Sequence, residues 1–295
     1  MNLREELLQK TSRTFALSIP LLPDELQRSV GVAYLLFRIA DTIEDELPCS
    51  FEDRRRALLS IADSFAETPH SMCEALDSMS FDPDSLSNDG YAELLQSAEE
   101  LVKDYLSLST AEQAAIASHL SRTCRGMAHY LGRDLSKGTT QDLREYCYIV
   151  AGIVGEMLTE LFMLHDSGLT LPRKELLSEA TAFGEGLQLV NIIRDAADDV
   201  HAGRCYLPLS LDRPKLIELA QNSLTKALNY IRILHDSNCH PGIVQFNALN
   251  LTLAFATIEA IREQGTGAKL TRAVVENILN QVTSDDFLSK SLELS

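Results

Sequence analysis

Apolar residues recur at three- and four-residue steps along almost the whole of this 295-residue chain, and no run alternates long enough to specify a strand. Between Pro23 and Pro48, for example, Val30, Ala33, Tyr34, Phe37 and Ala40 fall on one stripe, with Pro23 and Asp24 as start signals. A capping box from Thr110 to Gln113 predicts a helix to about Arg133. Further helices are expected over about 140–165, 173–200, 212–234, 241–263 and 270–290. In the first of these stretches Ala151, Gly152 and Gly155 would let a neighbouring helix or a ligand come close. The helix over 173–200 should stop at His201, Ala202 and Gly203. The most loop-like stretch, "SMSFDPDSLSNDG" at 78–90, separates elements rather than domains, because the helical pattern is the same on both sides. The expected architecture is therefore all-α, a single domain over 1–295 with roughly eight to ten helices, larger than a four-helix bundle.

Composition narrows the partners. A net charge of -17 argues against a nucleic-acid surface, so cations, metals or neutral groups are expected instead. An anionic substrate then requires a local arginine cluster or a metal ion to invert the field. The six cysteines form no C-x-x-C pair and no secretory leader precedes them, which points to a reducing cytoplasmic interior. No stretch is expected to reach the ~20 apolar residues of a membrane span, so any contact with the inner face of a membrane would be peripheral. Oligomeric state is not legible.

Two acidic faces carry the chemistry. In "RIADTIED", residues 38–45, helical spacing puts Asp41, Glu44 and Asp45 on nearly one face. Such a face is tolerated where it is solvated or where a cation sits between the carboxylates. In "QLVNIIRDAADDVHAGRCYLP", residues 188–208, Asn191, Asp195 and Asp199 line up one turn apart as a column of oxygen ligands suited to Mg²⁺, with Asp198 alongside. Each face ends an apolar helix, and each is escorted by an arginine, Arg38 or Arg194. Carboxylates that hold Mg²⁺ on a diphosphate, with arginines completing its neutralisation, suit ionisation of an allylic diphosphate beneath apolar walls that exclude water.

These residues resemble the trans-isoprenoid head-to-head synthases, the squalene and phytoene synthases. The stretch 188–208 is similar to the family's second aspartate-rich motif and "DTIED" to its first. "KTSRTFALSIPLLP", residues 10–23, resembles the N-terminal substrate and flap region, and "YCYIVAGIVG", residues 146–155, resembles the central helix. The resemblance runs from about residue 10 to 210 and thins afterwards.

It implies an isoprenoid-synthase helical bundle with a central apolar cavity, with Asp41, Glu44 and Asp45 binding Mg²⁺ from one side and Asn191, Asp195 and Asp199 from the other. Asp41, Asp45, Asp195, Asp199 and Tyr146 would be catalytic, Tyr146 near the departing diphosphate. Ser12, Arg13, Tyr34, Arg38, Gln188, Asn191, Arg194 and Tyr206 would bind the prenyl diphosphate substrate. In squalene synthases Arg13, Arg38 and Arg194 also fall where the phosphates of NADPH are contacted. "GAKLTR", residues 267–272, is similar to a basic segment that meets NADPH there, and it contributes Lys269 and Arg272, which equally suit a helix start.

The implied reaction joins two farnesyl diphosphate molecules through presqualene diphosphate to squalene. Loss of a proton instead of reduction would give dehydrosqualene, or phytoene where the substrate is geranylgeranyl diphosphate, and arrest would leave presqualene diphosphate. The spelling of "KTSRTF" and "DTIED" is closer to the squalene branch, of the bacterial type without a hydrophobic C-terminal anchor. The late stretch "FNALNLTLAFATIEA", residues 246–260, keeps Phe246 and Ala248 of the family helix but departs at Asn247, Asn250 and Leu251, which bears on the reductive half. A different class, an all-α Mg²⁺-dependent nucleotide pyrophosphohydrolase, would also use paired acidic helices, but it would need a route for water.

Overall fold

The computed structural model describes residues 2–12, 14–65, 68–79, 86–166 and 172–284, and among these residues helices and turns occur without a strand. The chain divides into two compact units, Met1–Gly132 with Glu160–Ser167, and Arg133–Thr159 with Gly168–Ser295.

The first unit is organised around one helix. Its elements are α1 (Leu3–Thr11), α2 (Phe15–Ser18), α3 (Asp24–Asp45), α4 (Phe51–Ser64), α5 (Ser71–Asp77), α6 (Asp89–Gln96), α7 (Ala98–Leu106) and α8 (Thr110–Tyr130). Helix α3 starts behind Pro23 with Asp24 and Glu25 in its first turn, where the positive end of the helix dipole favours them. Leu26, Val32, Leu35, Leu36, Ile39 and Ile43 are each at most 2% exposed, so α3 is buried nearly all round. Helices α1, α4, α6, α7 and α8 all pack on it.

The box that opens α8 lies one residue earlier than the sequence suggests. Ser109 accepts the Glu112 amide at 3.3 Å while Glu112 accepts the Ser109 amide at 2.9 Å. Ser109 has the extended backbone of an N-cap, and the glutamate three residues on is the stronger acceptor.

The second unit holds α9 (Thr140–Cys147), α11 (Arg173–His201), α12 (Arg213–Asp236), α13 (Pro241–Gln264) and α14 (Arg272–Val282), with the first part of α10 (Ile153–His165). Helix α11 packs against α9, α12 and α13. The sequence predicts one uninterrupted helix over 140–165, but a π-helical turn, Tyr148–Gly152, separates α9 from α10.

Its cause is the close approach of α11. A Cβ on Gly184 would stand 2.1 Å from the carbonyl oxygen of Ala151, and one on Gly155 would stand 2.3 Å from that of Ala180. The small residues expected to admit a helix or a ligand thus admit a helix, and the widened turn carries the Ala151 carbonyl towards it. The expected helix over 270–290 ends at Val282, and its last residues lie outside the described ones. So do residues 80–85 of the expected 78–90 loop.

One expectation is corrected. Thr140–His165 and Pro241–Gln264 are both long and apolar enough to cross a membrane by length and composition, with mean hydropathies of 1.7 and 1.2. Reading for unbroken apolar runs misses them, because isolated polar residues such as Glu156 and Asn247 interrupt each run without lowering the mean much. Core helices pass the same test, and 72% of the apolar window of α13 is buried within the protein.

Gly184→Ala should destabilise the protein by about 1–3 kcal/mol in urea denaturation, because the added methyl meets backbone and not a movable side chain. Gly31→Ala should cost less, since its nearest neighbour is the flexible end of Arg4 at 2.8 Å.

Candidate active site

In the first unit the acidic face sits at the wrong end of its helix for stability. Asp41, Glu44 and Asp45 crowd the C-terminal turns of α3, where the dipole is negative, and the last turn holds no basic residue. Each exposed charge so placed costs about 0.3–1 kcal/mol. Two arginines compensate. Arg38 lies 3.4 Å from Asp41, and Arg54 donates from Nη1 to the carbonyl of Glu44 at 2.7 Å, satisfying a helix-end oxygen. Arg38 also donates from Nε and Nη2 to the Tyr34 hydroxyl at 3.2 and 2.9 Å. That hydroxyl in turn donates to the Thr11 carbonyl at 3.3 Å.

Tyr34, Arg38 and Asp41 therefore form one chain along α3, anchored to the end of α1. Lys10 and Asn88 hold that end to α6, through the Glu93 carboxylate at 2.5 Å and the Lys10 carbonyl at 2.9 Å. Ser12, expected to touch substrate, accepts the Phe15 amide at 2.9 Å and so starts α2. Arg13 lies outside the described residues. Glu44 is buried, Asp45 is half-buried, and both have further partners. Burial raises the Asp41 carboxyl above its ordinary range against the opposing pull of Arg38. Burial, and then the charges of Asp41 and Glu44, push the Cys124 thiol on α8 up, which leaves it a packing group.

In the second unit the column of Asn191, Asp195 and Asp199 lies along the end of α11, with Asn191 exposed and the two aspartates half-buried. Arg194 grips Asp195 with both arms, Nε to Oδ1 at 2.7 Å and Nη2 to Oδ2 at 2.5 Å. Arg204, which the spacing of the aspartates does not point to, donates to Asp199 Oδ1 from Nε at 3.2 Å and from Nη2 at 3.0 Å. Burial raises the Asp199 carboxyl, Arg204 lowers it, and Asp195 and Asp198 raise it again.

Tyr146, 4% exposed at the end of α9, stacks on Tyr206 with ring centroids 4.8 Å apart and planes at 15°. Two backbone bonds fix the segment carrying Tyr206, Leu135 N–H to Cys205 O and Leu209 N–H to Ser136 O, both 2.8 Å. Arg144, beside Tyr146 on α9, reaches Glu185 of α11 at 3.5 Å, and Gln188 is half-buried one turn further along α11. The segment "GAKLTR" begins against the same helix, where Gly267 N–H donates to the Arg194 carbonyl at 2.6 Å. Lys269 is exposed, and Arg272 is engaged with Glu276 at 2.8 Å at the start of α14.

The donor set of each face is oxygen only, which fits a hard divalent cation and no soft one. Among the described residues no three His, Cys, Asp or Glu side chains converge as a ready metal cage. The carboxylates are instead directed onto Arg38, Arg194 and Arg204, so arginine supplies the positive charge that each acidic face requires. A surface cavity of about 380 Å³ on α4, lined by Arg55, Arg56, Ser60 and Asp63 among others, contains none of these residues.

The chain matches the family described as Squalene/phytoene synthase over residues 8–211. It is 28% identical over 276 residues to a squalene synthase of Solanum lycopersicum, an overlap of 85% of this chain and 62% of that one. The chain thus spans less than two thirds of the length of such curated relatives. A solved structure of TcSQS with the ligand E5700 matches 99% of this chain and 88% of its own, with a TM-score of 0.78 and 26% identity. A dehydrosqualene synthase structure matches 97% and 95%, with a TM-score of 0.59 and 22% identity, a likeness of fold.

Burial raises the Glu185 carboxyl from 4.5 more than Arg144 and Lys226 lower it. The folded protein therefore holds this proton more tightly than the unfolded chain, and stability falls as pH rises from about 4.5 through the raised value. Denaturation midpoints across that range should show a weaker fall for Glu185→Gln than for the wild type.

Proposed function

The chain belongs to the squalene/phytoene synthase family, and from that premise we propose that it condenses two farnesyl diphosphate molecules head to head into squalene, with Mg²⁺ and NADPH as cofactors. The observation that carries this reading is the pair of apolar helices, α3 and α11, each ending in carboxylates that are held by arginine. A nucleotide-hydrolysing enzyme has no use for such long greasy stretches immediately before its acidic ends.

Asp41, Glu44 and Asp45, and likewise Asn191, Asp195 and Asp199, would hold Mg²⁺, which when bound supplies positive charge to diphosphate oxygens and eases departure of the leaving group. Arg38 and Arg194 lie next to those carboxylates and can transfer a guanidinium arm to phosphate oxygens when a cation takes their place. The apolar side chains that precede each acidic turn exclude water from the allylic cation. Tyr146 is held flat against Tyr206, so its hydroxyl has a fixed position from which to accept or donate a proton beside the leaving diphosphate. NADPH would supply hydride to the final cation, and the position of "GAKLTR" against α11 supports Lys269 as a contact for its phosphates.

A second reading, proton loss to dehydrosqualene, draws on α13. Asn247 and Asn250, two departures from the squalene-type helix, are 4% and 5% exposed, and each amide donates back to its own helix, to Ile243 and Phe246, at 2.8 Å.

Purified protein incubated with farnesyl diphosphate and Mg²⁺ should yield squalene by mass spectrometry only when NADPH is added. Dehydrosqualene formed under both conditions selects the second reading. Accumulated presqualene diphosphate assigns coupling alone, and turnover confined to geranylgeranyl diphosphate moves the reaction to phytoene. Asp41→Asn and Asp195→Asn should each lower kcat by about 10²–10³-fold with an unchanged far-UV spectrum. Normal turnover by either one refutes the metal assignment.

A further inference from the structure

We propose that Tyr91 is a further substrate-binding residue at the first acidic face, its hydroxyl donating to an oxygen of a diphosphate held by Arg38. The inference rests on the reading of that face as a diphosphate site.

The placement of Tyr91 follows from the way α6 is docked. Ahead of the helix, Ser87 N–H donates to the carboxylate of Glu46 at 3.4 Å, and Glu46 directly follows Asp45 at the end of α3. The Asn88 amide donates to the Lys10 carbonyl at 2.9 Å, and the next carbonyl along, that of Thr11, accepts the Tyr34 hydroxyl. Gly90 permits this closeness, since a Cβ there would stand 2.7 Å from that of Lys10. Tyr91 comes next in the chain. It lies three and four residues before Leu94 and Leu95, which are 0% and 6% exposed, so it shares the buried face of α6, a helix that packs on α1 and α3.

The electrostatics agree with that placement. Burial raises the Tyr91 phenol above its ordinary value of 10.0, Arg38 lowers it, and Glu46, Tyr34 and Asp41 raise it further. At neutral pH the phenol therefore keeps its proton and can donate it to a phosphate oxygen.

Two tyrosines feel Arg38, and they differ in what their hydroxyls are free to do. That of Tyr34 accepts from Arg38 at 3.2 and 2.9 Å and gives its own proton to the Thr11 carbonyl at 3.3 Å, so both of its roles are filled. Among the described residues no hydrogen bond reaches the Tyr91 hydroxyl, and the half-buried ring leaves it open to solvent. Arg38 also keeps donors in hand. Its described hydrogen bonds, from Nε and Nη2, both end on Tyr34, and Nη1 faces Asp41 at 3.4 Å. An anion drawn to the remaining guanidinium N–H groups would meet Tyr91 as a second donor, from a different helix, which fixes its orientation as well as its charge.

The test uses the whole protein as wild type, Tyr91→Phe and Arg38→Gln, with inorganic diphosphate in a Mg²⁺ buffer as the probe. Affinity is read by isothermal titration calorimetry, and stability by melting temperature without diphosphate. Tyr91→Phe should bind diphosphate on the order of tenfold more weakly, the equivalent of one hydrogen bond to a charged group. It should melt at the wild-type temperature, because the missing hydroxyl holds no other part of the protein.

Unchanged affinity in Tyr91→Phe overturns the proposal. So does a lowered melting temperature, which makes the hydroxyl a structural contact. If Arg38→Gln loses binding while Tyr91→Phe matches wild type, the diphosphate reading stands and this inference alone fails. If Arg38→Gln binds like wild type, or wild type binds no diphosphate, both fail.

Discussion

Negative charge at the negative ends of two buried helices is the constraint on which the rest of this molecule depends. A helix as apolar as α3 is stable only when enclosed, so its neighbours α1, α4, α6, α7 and α8 are set by the need to cover it. Its acidic end opposes that demand, because carboxylates resist burial and the helix dipole repels them. The same opposition recurs in α11, whose Ile192 and Ile193 are 3% and 2% exposed immediately before Asp195. Arginine resolves it locally in both places, and under the proposed function the guanidinium contacts with the carboxylates are the ones that a cation and a diphosphate would replace. The feature that costs stability is thus also the one suited to chemistry.

Small residues decide how close the second unit's helices come, and hence where Tyr146 stands. With Gly184 against Ala151 and Gly155 against Ala180, α11 approaches backbone to backbone, and the chain between α9 and α10 answers with a π-helical turn directly after Cys147. Tyr146 occupies the last turn before it, flanked by the Arg144–Glu185 link to α11 and stacked on Tyr206. Its orientation is fixed from two sides by groups that belong to the same unit as the acidic column.

Much of this was legible in the sequence. The extents of α3, α8, α11, α12 and α13 follow from a 3.6-residue period, and the stop at Ala202–Gly203 follows from the chemistry of helix ends. The two acidic columns follow from spacing alone. What escaped depends on partners distant in sequence, or on a local geometry that letters do not encode. The π-helical turn exists because α11 presses on it, and a single-strand reading of 140–165 has no access to that neighbour. The Lys10–Glu93 and Arg54–Glu44 contacts join segments that no periodicity relates. Arg204 is a different kind of miss, since it lies only five residues from Asp199. The sequence marks Ala202 and Gly203 as a helix stop, and a stop that reverses the chain also aims its next side chain back at the helix.

The coupling and the reductive halves of the proposed reaction draw on different parts of the second unit, yet they are mechanically connected. The basic segment that would meet NADPH starts at Gly267, whose amide is bonded to the carbonyl of Arg194, and the side chain of that same arginine is clasped to Asp195. A change in what Asp195 holds therefore acts on a residue whose backbone anchors the segment bearing Lys269. Neither Lys269 nor the buried asparagines of α13 touch the acidic column in any described bond, so in the proposed reaction the fate of the cation would be set apart from the diphosphate chemistry. In the proposed reaction the charge for ionisation would come from a few residues at two helix ends, whereas the final quench would draw on other side chains, so the aspartate motifs would say more about the family than about the product.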